Sequence, residues 1–477
     1  MAVQAIASIS FAMASPTCGA AGATLSSLYE LPRRSVPRLK FTSAAEMATY
    51  EHPVLIDESP SRDWPAARWS VSTLLERSRR EKKFWKSASP LFRYQDESQA
   101  MTESLLEQGS WQPSYEEFNM TLSAFVEHCS NSATSSADAA GHNSYYYYTG
   151  EAQDEDGTVS ADVQPIAPLL PNAADASAAS GASRSNTWVS CAGTVMQAHY
   201  DLAHNTFVHL IGENKTFYLL PPSASHSLYM APKGHPHFRS SLIPSLAAVD
   251  TTRFPLFSSL REVWVARLSP GDALYLPPGW IHHVHAGGVG GQLSVGVNIF
   301  SDGAQSARAA YEALEGLPVP FEADWPREVR LAAVPALMAH VLRIEAWGGL
   351  AGGGHAGGEG EETGTGGARH RNHQATVSEW FTSRWQPLLH LASSEGRQGG
   401  GSDLADCSAV SHPLLTTPHF RSRADDIGKG ILLIKPPDLR RVLLLNYFDV
   451  LVSFTTGWDA RRAARLAADV AAMCSFT

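Results

Sequence analysis

The segment Ala198-His199-Tyr200-Asp201 and, further along, Pro270-Gly271-Asp272-Ala273-Leu274-Tyr275-Leu276-Pro277-Pro278-Gly279-Trp280-Ile281-His282-His283 decide how this chain is read. In a β-strand, residues two apart point to the same face. An extended 199–201 segment therefore projects His199 and Asp201 side by side. Completed by an imidazole from a distant strand, they make a set of two histidines and one carboxylate. Such a set holds Fe(II) on one side and leaves the opposite positions open. Imidazole suits iron, and the carboxylate lowers the net charge of the site.

A His-x-Asp triplet recurs by chance in long chains, so its surroundings matter. Thr187-Trp188-Val189-Ser190 precedes it and Phe207-Val208-His209-Leu210-Ile211 follows. Then come Gly212-Glu213-Asn214 and Lys215-Thr216-Phe217-Tyr218-Leu219-Leu220-Pro221-Pro222. Two β-rich runs separated by three residues that include Gly predict a hairpin. Lys215 falls in phase with Phe217 and Leu219, on the inward apolar face. A lysine there is costly unless its ammonium meets an anion. Pro277-Pro278-Gly279 ends the strand bearing Leu274, Tyr275 and Leu276, and Gly271 and Gly279 fit turn positions.

From His199 to Asn298 the chain resembles a JmjC domain, within the cupin-like family of Fe(II)- and 2-oxoglutarate-dependent oxygenases. The resemblance rests on Ala198 to Asp201, Asn205, Lys215 to Pro222, Pro270 to His283, and Ser294-Val295-Gly296-Val297-Asn298. It extends upstream through Asp63-Trp64-Pro65 to Val36-Pro37-Arg38-Leu39-Lys40-Phe41, covering residues 36–305. It is most similar to the hydroxylase branch, which includes the asparaginyl hydroxylase of hypoxia-inducible factor and the tRNA wybutosine hydroxylase. The fold it implies is mainly β: a double-stranded β-helix (jelly-roll or cupin) with flanking helices and a helical C-terminal region.

The same resemblance assigns roles residue by residue. His199, Asp201 and His282 become the iron ligands. His282 is the first histidine after the Trp-x pair, and alternation puts His283 and His285 on the opposite face. Lys215 matches the lysine that pairs with the distal carboxylate of 2-oxoglutarate. Asn205 and Asn298 match positions that hydrogen-bond this co-substrate or its surroundings. Tyr147 best fits the family's spacing within the run Tyr145 to Tyr148. Relatives often carry Thr-Pro just before the His-x-Asp triplet. Here Met196-Gln197 stands there, and the nearest threonine is Thr194. The activity implied is O2-dependent hydroxylation of a protein side chain or an RNA nucleoside. Lysine demethylation and a non-catalytic cupin-like scaffold are the alternative readings.

Composition bounds the partners. The 477-residue chain exceeds one ordinary core, and its formal net charge of −10 opposes a general nucleic-acid-binding surface. Cys18, Cys129, Cys191, Cys407 and Cys474 are scattered without a C-x-x-C pair, which suggests neither a zinc module nor a disulfide framework. No apolar stretch is long enough to span a bilayer. His235-Pro236-His237, with His226 upstream, has no carboxylate or thiolate near it, so no metal is expected there. Residues 1–35, rich in Ala and Ser, read as a leader: disordered, or an organellar transit peptide, plastid rather than mitochondrial because arginine is scarce. Without such targeting the cytoplasm or nucleus is expected.

Low-complexity segments at Ser130 to Gly141, Glu151 to Gly157, Ala173 to Ser185, Gly348 to Gly367 and Gly399 to Ser402 read as surface insertions or linkers. Within residues 306–477, Ala307 to Leu317, Pro326 to Trp347, Thr376 to Leu391 and Pro437 to Met473 carry helical periodicity. Trp380, Trp385, Trp458 and Leu443-Leu444-Leu445 are expected to pack these helices together. A homodimer through the same helices is a possibility carried over from the relatives.

Overall fold

The apolar runs that flank the histidine motifs fold into short strands whose alternate residues enter separate cores. The computed structural model describes residues 24–132, 144–151, 161–170, 185–288, 292–301, 325–351, 377–393, 413–432 and 437–473. Its strands are β1 (Leu25–Ser26), β2 (Arg33–Ser35), β3 (Arg38–Lys40), β4 (Val54–Asp57), β5 (Lys82–Ser87), β6 (Leu91–Phe92), β7 (Glu116–Met120) and β8 (Tyr145–Glu151). Then follow β9 (Ser185–Cys191), β10 (Val195–Tyr200), β11 (His204–Ile211), β12 (Lys215–Leu220), β13 (Val249–Asp250), β14 (Val263–Leu268), β15 (Ala273–Leu276), β16 (Ile281–Ala286) and β17 (Leu293–Ser301).

Two sheets carry the site. One runs β2-β14-β12-β16-β10-β6, and the other β3-β4-β15-β11-β17-β9-β8-β5-β7. From β9 to β12, and again from β14 to β17, each strand lies in the sheet opposite its predecessor. That alternation is the winding of a double-stranded β-helix, with antiparallel pairing among the eight central strands. Among the described residues no strand belongs to both sheets, so the body is an open sandwich and not a closed barrel.

The expected hairpin at Gly212-Glu213-Asn214 does not form. β11 pairs with β15 and β17, whereas β12 pairs with β14 and β16. The three residues carry the chain across the sandwich. Gly212 makes this corner with φ +116°, and a Cβ there would collide with the Leu293 carbonyl oxygen. Composition and spacing are the same for a hairpin and for such a crossing. The two differ only in the strands that receive β11 and β12.

Strand parity, reset in β10 between Met196 and His199, sorts the buried residues into three clusters. Met196, Phe207, Phe217, Leu219 and Val284 pack between the sheets. Behind the larger sheet, Val208, Leu210, Val295 and Val297 meet Trp64, Phe84 and Phe125. Behind the smaller sheet, Tyr200, Leu220 and Ile281 meet Leu337, Trp385, Leu443 and Phe448 of the C-terminal helices. Each fully buried side chain of this size contributes about 1.5–3 kcal/mol.

Four further points differ from, or add to, the reading of the sequence. Residues 24–35, placed in the leader, are part of the fold: β1 pairs with β13, β2 pairs with β14, and Leu28 is fully buried. Cys129 and Cys191, 62 residues apart, form a disulfide that ties helix Leu122–Ser132 to the end of β9. Sequence spacing does not register a bridge between distant elements. The periodicity over Pro437 to Met473 is two helices, Pro437–Thr455 and Ala460–Met473, because Gly457 and Trp458 take φ of +68° and +60° between them. Helix Pro418–Leu432 was not foreseen.

Helices Arg327–Ala351 and Val377–Trp385 fall where periodicity placed them. Trp380, Trp385 and Leu443 to Leu445 are buried within this chain. The expected helix at Ala307 to Leu317, residues 1–23 of the leader, and most of the low-complexity segments lie outside the described residues. Among the described residues no helix is long and apolar enough to cross a membrane.

Candidate metal centre

His199 on β10 and His282 on β16 are direct partners across neighbouring antiparallel strands, with ring centroids 4.1 Å apart. Asp201 follows the last residue of β10. An irregularity in register between Met196 and His199 adjusts the strand just before the ligands, a common use of bulges beside functional sites. One ligand atom from each of His199, Asp201 and His282 lies within 4.8 Å of the others.

The backbone selects the tautomers. His199 Nδ1 lies 2.8 Å from the Gln197 carbonyl, and His282 Nδ1 lies 3.1 Å from the Trp280 carbonyl. A carbonyl only accepts, so each Nδ1 donates its hydrogen and each Nε2 lone pair is available for a cation. His282 Nε2 is 3.6 Å from Asp201 Oδ2. Burial, and then the neighbouring His282, push the His199 pKa down to about 3, which leaves a neutral imidazole at neutral pH. Burial alone would raise the Asp201 pKa. His282, His199 and Arg239 outweigh it and hold that carboxylate below its ordinary value. Two imidazoles oriented by backbone carbonyls and one carboxylate oxygen fit a divalent cation of the Fe(II) type.

A hydrogen-bonded chain steadies the carboxylate. Trp188 Nε1 donates to Asn298 Oδ1 at 2.7 Å, and Asn298 Nδ2 donates to Asn205 Oδ1 at 3.3 Å. Asn205 Nδ2 donates to Asp201 Oδ2 at 3.0 Å. Asn205 and Asn298, expected near the co-substrate, line the same cavity and connect the larger sheet to the carboxylate.

That cavity, of about 620 Å³, contains the three metal-centre residues together with Lys215, Tyr147 and Thr194. Lys215 is 5 % exposed, and its Nζ lies 3.5 Å from Ser294 Oγ and 5.2 Å from the Phe207 ring centroid. Burial pushes its pKa down to about 8. Of the four tyrosines, only Tyr147 lines the cavity, stacked on Trp85 and Phe92. Tyr146 and Tyr148 belong to the cluster behind the larger sheet. The Thr194 hydroxyl donates to the Cys191 carbonyl at 2.7 Å.

Arg239 was not foreseen at the site. Its Nη1 stands 3.6 Å from Asp201 Oδ1, and its guanidinium lies 5.1 Å from the Tyr94 ring centroid. With φ +70° inside the long segment between β12 and β13, it had no periodic signal to mark it. His235 and His237 are internal: His237 Nε2 accepts from Trp111 Nε1, and His235 Nδ1 accepts from the His237 backbone. His226 stacks on Trp380. None of the three joins a metal-binding group among the described residues.

A model of the cupin-like domain matches residues 40–305, more than half of the chain. The chain belongs to the cupin-like domain family. Among its relatives is Jumonji C domain-containing protein 5 of Drosophila melanogaster, 32% identical over 106 residues, which are 22% of this chain and 25% of the relative. Lysine-specific demethylase JMJ31 of Arabidopsis thaliana is 34% identical over 117 residues, 24% of this chain and 20% of the relative. HSPB1-associated protein 1 of Rattus norvegicus is 32% identical over 104 residues, 21% of each chain. The match thus spans about a quarter or less of these relatives' own length. Within this cupin-like JmjC chain, the histidine and aspartate set lines the cavity between the two sheets, from β10, the residue just after it, and β16.

Proposed function

We propose that this chain is an Fe(II)- and 2-oxoglutarate-dependent dioxygenase that hydroxylates a protein side chain or an RNA nucleoside. One observation carries the reading: a His199, Asp201 and His282 set and a buried Lys215 share a single cavity. His199 Nε2, His282 Nε2 and an Asp201 oxygen would hold the iron. When bound, iron and 2-oxoglutarate supply oxygen activation, with carbon dioxide and succinate as co-products.

The chain's own residues bind and orient. Lys215 meets the far carboxylate of 2-oxoglutarate in a charge-assisted contact, and burial strengthens that contact by excluding water. Asn205 restrains the Asp201 carboxylate, so one oxygen keeps its direction. Tyr147 and Trp188 wall the cavity. Tyr94, Asp96, Lys233, Phe238 and Arg239 also line the cavity.

Those five lining residues carry two cations and one carboxylate. A methylammonium group is disfavoured beside such a balance, which supports a neutral side chain or a nucleoside as the substrate. The second reading is lysine demethylation, favoured by relatives named lysine-specific demethylases. Both begin with hydroxylation of a C–H bond. In demethylation the hydroxylated carbon is bound to nitrogen and leaves as formaldehyde. Retention of the metal-ligating set and Lys215 speaks against a scaffold without activity.

The test is succinate formation with and without Fe(II), followed by a screen of proteins and RNAs for a gain of one oxygen atom. Formaldehyde released in step with succinate from methyl-lysine peptides would replace the first reading by the second. Failure to bind 2-oxoglutarate in the presence of Fe(II) would sink both.

A further inference from the structure

Tyr200 stands between His199 and Asp201, and strand parity turns its side chain to the opposite face of β10. There it is fully buried against the C-terminal helices. Its hydroxyl donates to Asn446 Oδ1 at 3.2 Å, and the same oxygen accepts from Arg384 Nη2 at 2.7 Å. Arg384 Nη2 also lies 2.6 Å from Asp449 Oδ2. Asp449 Oδ1 accepts from Trp385 Nε1 at 2.9 Å, while Oδ2 accepts from the Lys233 backbone N–H at 3.1 Å. Arg384, Asn446 and Asp449 are each 1 % exposed or less.

A buried ion pair is a weak source of stability, because desolvation offsets its attraction; its best-attested use is to specify one arrangement among several. Apolar side chains of similar volume would close the same interface without that penalty. This network instead reaches two walls of the cavity, Tyr200 on β10 and Lys233 on the loop that also bears Arg239. Next door the Trp458 ring lies over Gly234, leaving no room for a Cβ there. Any slip of Tyr200 displaces His199 and Asp201 together relative to His282.

We propose that the helical C-terminal region positions the metal-binding strand, with Tyr200 and Asn446 as positioning residues and the Arg384–Asp449 pair as their anchor. The proposal rests on the metal-centre reading above. It makes the helices after residue 325 part of the site's machinery.

Co(II) titration of the full chain, followed by visible absorption, tests it without turnover. Tyr200→Phe should lose about fivefold in Co(II) affinity, the size of one net hydrogen bond, and shift the ligand-field bands. Tyr229→Phe is the matched control, because Tyr229 packs in the same cluster but its hydroxyl accepts from the Leu256 N–H, outside this network. It should lower thermal stability at least as much and leave Co(II) affinity at the parent value. Asn446→Ser should reproduce the Tyr200→Phe loss, and the double variant should lose no more than the larger single. Parental affinity and spectrum in Tyr200→Phe, an equal loss in Tyr229→Phe, or additive losses in the double variant would each overturn the proposal alone. Failure of the parent chain to bind Co(II) would overturn it together with the proposed function.

Discussion

Strand β16 carries histidines on both faces, and the two faces do different work. On the inner face His282 meets His199 and Asp201. On the outer face His283 and His285 point their Nε2 atoms at one phenol, Tyr29 Oη, 2.9 Å from each. Burial drives the His283 pKa well below its ordinary value and that of His285 down to about 4, so both are neutral. Tyr218 completes the outer group through ring contacts. Residue type and burial are nearly the same on the two sides. The difference lies in the third partner: a carboxylate held ionised inside, a hydroxyl outside. An anion and lone pairs aimed at one point can hold a cation, whereas a phenol between two imidazoles ties an N-terminal segment onto the sheet.

The largest effect that would sharpen this contrast is loss of the carboxylate. Asp201→Ala should weaken Co(II) or Fe(II) binding by more than the roughly 10–100-fold typical of losing a ligand's hydrogen-bond partner. His283→Ala should leave metal affinity unchanged and lower the unfolding midpoint instead. Similar losses of metal from both variants would erase the distinction between the faces.

Next in size is the anchor deeper in the cavity. Lys215→Ala should raise the 2-oxoglutarate concentration needed for half-saturation by roughly thirtyfold or more, since removing one partner of a buried charged pair costs about 2–5 kcal/mol. Metal affinity should hold. An unchanged co-substrate titration would move the anchor to another wall of the cavity.

Smaller still is the outer face. Tyr29→Phe removes one hydroxyl from two buried imidazoles, and urea unfolding should register a loss of about 1–3 kcal/mol. Co(II) affinity should equal the parent's. A variant that loses metal instead would show that the outer group reaches through the strand.

The subtlest expectation concerns protons. The Lys215 pKa is pushed down to about 8 by burial, from an ordinary 10.5. The folded chain therefore binds fewer protons at this group than the unfolded chain between those values. Its destabilising contribution, full below pH 8, fades as pH rises towards 10.5. A bound carboxylate restores the ammonium, so 2-oxoglutarate binding at pH 9 should take up a fraction of a proton. Calorimetry in two buffers of different ionisation enthalpy measures it, and zero uptake would count against Lys215 as the partner.

Local rules made much of the site legible. Period-two alternation put His199 beside Asp201, placed Lys215 with Phe217, and turned His283 away from His282, because side-chain direction in a strand depends only on parity. Gly271 and Gly279, with φ of +89° and +80°, stand at the turns their residue type called for. The amphipathic runs near residues 326–347 and 376–391 marked helices for the same local reason.

What the sequence by itself determined is the face of residues within an unbroken strand; in β10 the irregularity between Met196 and His199 puts both on the cavity side, which parity alone does not give. Which sheet receives each strand was settled only in three dimensions. The segment Gly212 to Asn214 has the makings of a hairpin, yet it crosses the sandwich because β15 and β17 claim β11 while β14 and β16 claim β12. The tertiary path likewise brought Tyr29 to His283, Cys129 to Cys191, Arg239 to Asp201 and Asn446 to Tyr200. These partners are separated by up to 254 residues in sequence. Their pairing depends on the packing of whole sheets and helices, and no short window of residues carries that information.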